Sequence, residues 1–294
     1  MLAKALDTLA GRIERAEVLD PVAEKVAGAA QKLLNRRGLT DLLSGTPAGH
    51  SLHPLFIALP IGSWTSAGVF DVLGDTSGAQ TLTGIGLLTA IPSVVTGASD
   101  WCYTDGAERR VGLVHATCNY LAIGAYLGSW LARRSGRRGL GIGLSVIGGG
   151  AISAGGWLGG HLSYALGVGV DTTAFQHSEE DWTAVIAADQ VFTGEATGAD
   201  LAGVPVVLTR TPEGDVVVLA DRCTHRGGPL HEGEMRHGCL TCPWHDSEFA
   251  LDGTVVRGPA TRPQPAYEVK VIDGQVLARR ADDPRSLRTN PVGL

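Results

Sequence analysis

Two short runs near the C-terminal end of the chain each carry one cysteine and one histidine. Cys223 stands two residues before His225, Cys242 stands three residues before His245, and sixteen residues separate the two runs. Thiolates and imidazoles are the side chains that bind zinc and iron–sulfur centres in proteins. A [2Fe–2S] cluster can take two cysteines on one iron and two histidines on the other. The spacing therefore predicts a metal centre that holds two loops together.

A structural zinc site is the alternative, since zinc also accepts two cysteines and two histidines. Zinc motifs usually pair cysteine with cysteine and histidine with histidine, whereas each run here mixes the two. Cys239 and Cys242 do form a C-x-x-C pair, but the sequence contains no second such pair. We therefore interpret Cys239 as a buried strand residue, and His231 and His237, which lie between the two runs, as loop residues.

The residues around both runs resemble the cluster loops of Rieske ferredoxins, over residues 221–230 and 242–249. Residues 258–265 are similar to the proline loop that covers the cluster in that family. The resemblance extends from Trp182 to Arg280 and implies a [2Fe–2S] cluster and one-electron transfer. Short β-type runs with turn signals between them independently predict an antiparallel all-β domain. These runs are residues 182–187, 204–209, 216–220, 266–272 and 275–279.

Residues beside the ligands bear on the reduction potential, which spans about −150 to +300 mV in Rieske centres. High-potential relatives carry a disulfide between the two loops, and this chain has Gly228 and Trp244 at the matching places. Ser247 matches a serine that donates to a cluster sulfur, but Phe249 replaces a tyrosine donor. Asp246 replaces the usual glycine and adds negative charge beside the cluster. We predict a low potential. Two arginines act in the opposite direction: Arg222 and Arg226.

The composition indicates a membrane part. Charged residues make up 18% of the 294 residues, and the mean hydropathy is +0.11. Four apolar segments each approach the ~20 residues that a helix needs to cross a bilayer. Short gaps between them predict an antiparallel four-helix transmembrane bundle. The four segments are residues 52–72, 81–98, 111–132 and 139–160.

The remaining segments complete a predicted domain order. Residues 1–47 hold two amphipathic helices, the second with Val22, Val26 and Leu33 in one apolar stripe. Charged residues interrupt the first apolar run, so we expect no signal peptide. The predicted parts are 1–47 amphipathic helices, 48–170 transmembrane domain, 171–181 acidic linker, 182–281 Rieske domain and 282–294 tail.

Three histidines fall at one end of the predicted bundle: His53, His115 and His161. Ionisable residues inside a membrane are costly and suggest function. Two facing histidines could ligate the iron of a haem b from both sides, and clustered histidines could bind another metal. Alternatively, they cap helix ends at the interface. Asn119 follows His115 by four residues and shares its helix face.

The membrane half also resembles a known family. The pattern rests on His53 followed by proline, residues 97–101, His115 with Asn119, and residues 159–164. It is similar to a bacterial four-helix membrane family of unknown function that is often fused to a Rieske domain. That family is similar in outline to cytochrome b-type bundles. The resemblance covers residues 48–170 and implies the same two-domain fusion.

Together these features predict a membrane-anchored one-electron transfer protein. Its partners would be a soluble or membrane electron donor or acceptor and the lipid bilayer; the net charge of −6 gives no sign of nucleic-acid binding. Rieske oxygenases also need a mononuclear iron domain, and the 49 residues after His245 leave no room for one. The alternative function is a membrane-tethered redox sensor or docking module without a second redox centre.

The basic residues flanking the apolar segments do not decide which side of the membrane holds the cluster. We expect a cytoplasmic Rieske domain because no export signal is visible. A twin-arginine pair at Arg137 and Arg138 is the rival reading, and it would place the cluster outside.

Overall fold

The structure is a computed structural model that describes residues 2–34, 36, 38–176 and 180–281. The chain divides into two compact units. Met1–Arg36 and Ser51–Val168 form the first, which we call the helical unit, and Arg37–His50 and Gly169–Leu294 form the second, the β unit. The predicted tail, residues 282–294, and residues 177–179 of the predicted linker lie outside the described residues.

Helices account for nearly all of the helical unit. The seven α-helices of the described residues are α1 Leu2–Glu14, α2 Asp20–Leu34, α3 Leu39–Ser44, α4 His53–Leu73, α5 Thr76–Trp101, α6 Gly106–Arg134 and α7 Arg138–Tyr164. All but α3 belong to the helical unit. The helices expected from the four apolar segments are therefore present: α4 is shifted by one residue, and α5, α6 and α7 are each extended by a few residues.

Three of these helices, α4, α5 and α7, are long and apolar enough to cross a membrane. The helix α6 has 29 residues but is less apolar. Its first turns carry Glu108, Arg109 and Arg110, and its last turn carries Arg133 and Arg134. By length and composition, three of the four predicted membrane-spanning helices are thus confirmed as candidates, and α6 is not.

Short loops join α4 to α5 and α6 to α7 as helical hairpins. Asp75 caps α5 by accepting a hydrogen bond from the Gly78 backbone N–H at 2.9 Å. Trp64 of α4 stacks on Tyr126 of α6 with ring centroids 4.1 Å apart. Gly86 of α5 lies so close to the Trp64 ring that a Cβ would overlap it. Small residues therefore bring these helices into close contact.

A buried ion pair ties α4 to α6. The Arg133 guanidinium donates to both carboxylate oxygens of Asp71 at 2.6 and 2.7 Å. The Arg133 side chain is fully buried and also contacts the hydroxyls of Ser129 and Ser145. Such a pair is costly to break, since one partner would leave the other as a buried charge.

The helix α2 docks on the rest of the helical unit through a second ion pair. Arg110 of α6 donates to both carboxylate oxygens of Asp20 at 2.6 and 2.7 Å. The apolar stripe of α2 is exposed, with Val22 at 56% and Leu33 at 66% of full exposure. Small alanines on the neighbouring face are buried instead: Ala23 and Ala27.

The β unit is built from three antiparallel sheets, with strand orders β1-β10-β9, β2-β3-β4 and β5-β6-β7-β8. The strands are β1 Thr183–Ala187, β2 Thr197–Leu201, β3 Val204–Arg210, β4 Val216–Ala220, β5 Glu234–Arg236, β6 Cys239–Thr241, β7 Glu248–Ala250, β8 Val255–Arg257, β9 Tyr267–Ile272 and β10 Gln275–Arg280. The five predicted strands are present. The others lie mainly around the two cysteine–histidine runs.

Two buried clusters form the core of the β unit. One includes Leu208, Val218 and Val276, and the other includes Leu219, Leu240 and Phe249. The second cluster also contains Cys223 and Cys242. Residues 38–50, which precede α4 in sequence, belong to the β unit as well. We call them the α3 segment.

Candidate metal centre

Two loops present the predicted ligands. The first loop, residues 221–229, follows β4, and the second, residues 242–247, joins β6 to β7. Cys223 and Cys242 are both 1% exposed, and their thiols hydrogen bond to each other. The rings of His225 and His245 lie edge to face, with centroids 5.1 Å apart. The structure therefore brings the four predicted residues together two by two, as a thiol pair and an imidazole pair.

This pairing bears on the choice between zinc and an iron–sulfur cluster. Among the described residues, no three Cys, His, Asp or Glu side chains converge to hold one metal ion. A structural zinc site needs four ligands around one ion. A cluster with two cysteines on one iron and two histidines on the other needs one pair at each end. The donor set and its grouping into pairs fit the [2Fe–2S] cluster.

The pKa shifts of Cys242 and His225 favour the forms that bind metal. The hydrogen bond from Cys223, together with the backbone N–H groups of Trp244 and His245, lowers the pKa of Cys242 to about 7. The same thiol contact and burial raise the pKa of Cys223. Burial, with repulsion from His245, lowers the pKa of His225 to about 3. A neutral imidazole and an available thiolate are the forms that bind metal.

Backbone hydrogen bonds close both loops on themselves. In the first loop, the Cys223 N–H donates to the Gly228 carbonyl at 2.9 Å. In the second, the Cys242 N–H donates to the Ser247 carbonyl at 2.8 Å. Asp246 has a left-handed backbone with φ of 57°. Aspartate tolerates this conformation better than most residues, which accounts for its use at a position where glycine is usual in Rieske ferredoxins.

The two places that match the disulfide of high-potential relatives face each other across the loops. A Cβ on Gly228 would lie 3.0 Å from the Trp244 ring and 2.9 Å from the Cys242 sulfur. Every cysteine of the described residues is a free thiol. Phe249, at the position of the tyrosine donor, is fully buried in the core. Ser247 is also fully buried and accepts a hydrogen bond from the Ala260 N–H at 3.0 Å.

A buried glutamine supports the first loop, a role that the sequence alone did not indicate. Gln264 is 2% exposed, and its amide donates to the carbonyls of Ala220 at 2.6 Å and Arg222 at 2.7 Å. Its carbonyl accepts from the Thr224 N–H at 3.2 Å. The Thr224 hydroxyl donates to the Arg262 carbonyl at 2.8 Å. The one local signal is a polar residue between two prolines, which does not identify its partners.

The structure also locates the other cysteine and histidines of this region, which were interpreted as strand and loop residues. Cys239 is buried in β6. His231 contacts the Asp221 carboxylate through Nδ1 at 2.8 Å. His237 occupies a turn with φ of 51°.

The histidines of the helical unit separate into a pair and a single residue. Nδ1 of His53 contacts the Ser93 carbonyl at 2.9 Å, and Nδ1 of His115 contacts the Gly155 carbonyl at 2.7 Å. Since a carbonyl only accepts, both Nδ1 atoms carry a proton, and in the neutral ring the lone pair is therefore on Nε2. The two ring centroids are 6.4 Å apart. Asn119 donates to Nε2 of His115 at 3.0 Å.

His161 has different neighbours. Its Nε2 lies 2.8 Å from the Glu14 carboxylate, and its ring stacks on Trp157 with centroids 5.7 Å apart. The structure thus brings His53 and His115 together and gives His161 a partner in α1.

Comparison with known families matches both halves of the chain. Residues 181–268 match the family described as Rieske [2Fe-2S] domain. Residues 49–172 match the family described as predicted membrane protein (DUF2231).

Several characterised proteins are similar to the β unit. The anthranilate 1,2-dioxygenase ferredoxin subunit of Burkholderia cepacia is 31% identical over 98 residues, which is 33% of this chain and 89% of that protein. The cytochrome b6-f complex iron-sulfur subunit 3 of Nostoc sp. is 38% identical over 92 residues, 30% of this chain and 51% of that protein. The dicamba O-demethylase oxygenase component of Stenotrophomonas maltophilia is 36% identical over 75 residues, 26% of this chain and 22% of that protein. The chain thus spans less than a quarter of the oxygenase components that it matches.

Proposed function

Because the chain belongs to the Rieske [2Fe–2S] domain family and also carries a DUF2231 predicted membrane domain, we propose that it is a membrane-anchored one-electron carrier. The cluster would be held by Cys223, His225, Cys242 and His245. The observation that carries this proposal is the thiol pair beside the imidazole pair at the ends of two self-closed loops.

The cluster, when bound, supplies a one-electron couple. The chain's own part is to hold and shield it. Cys223 and Cys242 would bind one iron among the buried hydrophobic side chains that include Leu240 and Phe249, away from water. His225 and His245 would bind the other iron as neutral imidazoles. Matches to a dioxygenase ferredoxin subunit and to a cytochrome b6-f iron-sulfur subunit support an electron-transfer role. The electron would pass to or from a soluble or membrane partner protein.

We place the cluster at the low end of the Rieske potential range. The chain has no cysteines at positions 228 and 244, so the disulfide of high-potential relatives is missing there. Phe249 brings no hydroxyl, and Asp246 adds an exposed negative charge beside His245. Fewer donors and more negative charge both disfavour the reduced, more negative cluster.

The helical unit would anchor the protein as a multi-pass domain. The apolar helices α4, α5 and α7 support this, and α6 would be the fourth span because its charges concentrate at its two ends. The Rieske domain would face the cytoplasm. A relay into the membrane, through a quinone or a haem b held between His53 and His115, is the extended form of this function. The orientation of both rings by Nδ1–carbonyl contacts supports a pair of ligands there.

The alternative is a membrane-tethered sensor or docking module. It is favoured by the contacts that the helical histidines already make, since Asn119 hydrogen bonds to Nε2 of His115 and Glu14 contacts His161.

The test is electron paramagnetic resonance and redox titration of the full chain purified from membranes in detergent. We expect two irons per chain, a reduced-state [2Fe–2S] signal, and a midpoint below about +75 mV, the middle of the Rieske range. His245→Ala should abolish the signal and His231→Ala should keep it. A zinc-containing protein without the iron signal would overturn the proposal.

The reduced-minus-oxidised visible spectrum of the same sample separates the two forms of the function. A b-type haem band that is lost in His53→Ala and His115→Ala, and kept in His161→Ala, supports the relay. A spectrum with iron–sulfur absorption alone supports the tethered module.

A further inference from the structure

The proline loop of the β unit, residues 258–265, is held from outside by the α3 segment. The Gly258 N–H donates to the Asp41 carboxylate at 2.7 Å. The Thr46 hydroxyl donates to the Ala260 carbonyl at 3.0 Å. Both contacts lie within the β unit, although more than 200 residues separate their partners in sequence.

The fit between the α3 segment and the proline loop is close. A Cβ on Gly258 would lie 2.5 Å from the Thr46 hydroxyl oxygen and 3.3 Å from the Asp41 carboxylate. Thr40 and Ser44 of α3 are each 2% exposed. Glycine at position 258 is therefore needed for the two chain segments to meet.

The contact continues to the second cluster loop. Ala260 is held at both of its backbone polar groups, since Thr46 binds its carbonyl and the Ser247 hydroxyl oxygen accepts from its N–H at 3.0 Å. Ser247 is fully buried in the loop that carries Cys242 and His245. In this bond the Ser247 oxygen is the acceptor, so the Ser247 hydroxyl hydrogen is not used in it.

A second outside segment reaches the first cluster loop. Thr172 follows α7 in sequence and belongs to the β unit. Its hydroxyl donates to the carbonyl of Cys223 at 2.7 Å, and its N–H donates to the carbonyl of Thr224 at 3.3 Å. A side chain outside the matched Rieske residues thus binds the backbone of a candidate ligand.

We propose that Thr172, Thr46 and Asp41 are positioning residues that set the reduction potential of the cluster, an inference that rests on the proposed function. The two segments that flank helices α4–α7 in sequence then serve as outer supports of the cluster loops. Hydrogen bonds and charge near the ligands tune such a centre. The Thr172 donor stabilises the added negative charge of the reduced cluster. The Asp41 carboxylate opposes it.

The sign of each effect follows from this chemistry. Thr172→Val and Thr46→Val remove donors and should lower the midpoint. Asp41→Asn removes a negative charge, keeps an acceptor for Gly258, and should raise the midpoint. One net hydrogen bond corresponds to roughly a two- to tenfold change in an equilibrium. A tenfold change in the reduced-to-oxidised ratio is 59 mV for one electron.

The experiment is a redox titration of the full-length holoprotein in detergent, followed by the cluster resonance signal. Thr193→Val and Asp189→Asn are matched controls, since both side chains are exposed elsewhere on the β unit. We expect a downward shift for the two threonine variants, an upward shift for Asp41→Asn, and none for the controls. Thr172→Ser, which keeps the hydroxyl, should restore the original midpoint.

A structural readout complements the potential. Hydrogen exchange of the Gly258 amide should speed up in Asp41→Ala, which removes the acceptor, and stay slow in Asp41→Asn. Midpoints that stay in place for all three variants, in a protein that retains the cluster signal, refute this inference alone. Absence of the cluster signal from the unchanged protein refutes the proposed function instead.

Discussion

Replacing Gln264 with leucine should loosen the first cluster loop. Gln264 is 2% exposed, and its side chain binds two carbonyls and one N–H of residues 220–224. Leucine is close to glutamine in size but cannot make these bonds. The Ala220 carbonyl and the Thr224 N–H would lose their side-chain partner inside the protein, where water cannot replace it without opening the loop. The Arg222 carbonyl, which is partly buried, would lose its side-chain partner as well.

The expected cost follows from the number of groups left without their side-chain partner. Each buried polar group that loses its partner costs about 1–3 kcal/mol. Two of the three bonds, those to the Ala220 carbonyl and the Thr224 N–H, are buried, and the third is partly buried. The two buried groups give a destabilisation of at least about 2 kcal/mol, roughly thirtyfold in the unfolding equilibrium. Domains of this kind are stable by only about 5–15 kcal/mol. The loop that carries Cys223 and His225 should therefore release its cluster well before the rest of the β unit unfolds.

The assay is bleaching of the visible [2Fe–2S] absorption during denaturant titration of the full chain, with iron content measured before unfolding. Gln275→Leu is the control, because Gln275 is exposed at the start of β10. Gln264→Leu should shift bleaching to clearly lower denaturant, and Gln275→Leu should not. If Gln264→Leu kept full iron content and lost less than about 1 kcal/mol, the buried bonds would not support the loop as argued.

Three further results are expected. Arg133→Met leaves Asp71 as a buried charge and should destabilise the helical unit by about 3–5 kcal/mol, measured by thermal unfolding in detergent. The double variant Arg133→Met with Asp71→Leu should recover most of this stability. A double variant no more stable than the single one would contradict the pairing. Gly228→Ala places a methyl group 2.9 Å from a cluster thiol and should lower iron content, whereas full occupancy would mean that the loop yields. The hydrogen bond from Arg110 lowers the pKa of Asp20, so the stabilising contact is present above the ordinary aspartate pKa of about 3.9 and is lost as pH falls through the folded value. Unfolding measured from pH 6 to 3 should lose this acid dependence in Asp20→Asn.

The four candidate ligands could be proposed from the sequence because metal chemistry restricts residue type. Iron–sulfur clusters accept few kinds of side chain, and each of the two runs places a cysteine and a histidine two or three residues apart. The long helices could be found for a similar reason, since crossing a bilayer needs about 20 apolar residues in succession. Neither argument depends on which distant segments meet.

Strands β2, β5, β7 and β8 were not predicted, and β6 was expected only at Cys239. Strands β5 to β8 have three residues each, too few to show an alternating pattern, and they pair with one another in one sheet. The sequence also did not show that the apolar stripe of α2 is exposed. A helix of small and large apolar residues has two faces that could pack, and Ala23 is buried while Val22 is exposed.

The sequence by itself determined which side chains could bind a metal, which segments are apolar helices and which are β-type runs, and the order of these segments along the chain. Only the tertiary structure decided which distant groups hold that donor set in place. The side chains of Gln264 and Thr172 hydrogen bond to the backbone of the first cluster loop, and that of Asp41 to the backbone of the proline loop. A backbone N–H or carbonyl carries no residue identity that a sequence could reveal. The histidines are a second example. The sequence places three of them near one end of the bundle, and only the structure shows that His53 lies beside His115 while His161 contacts Glu14 of α1.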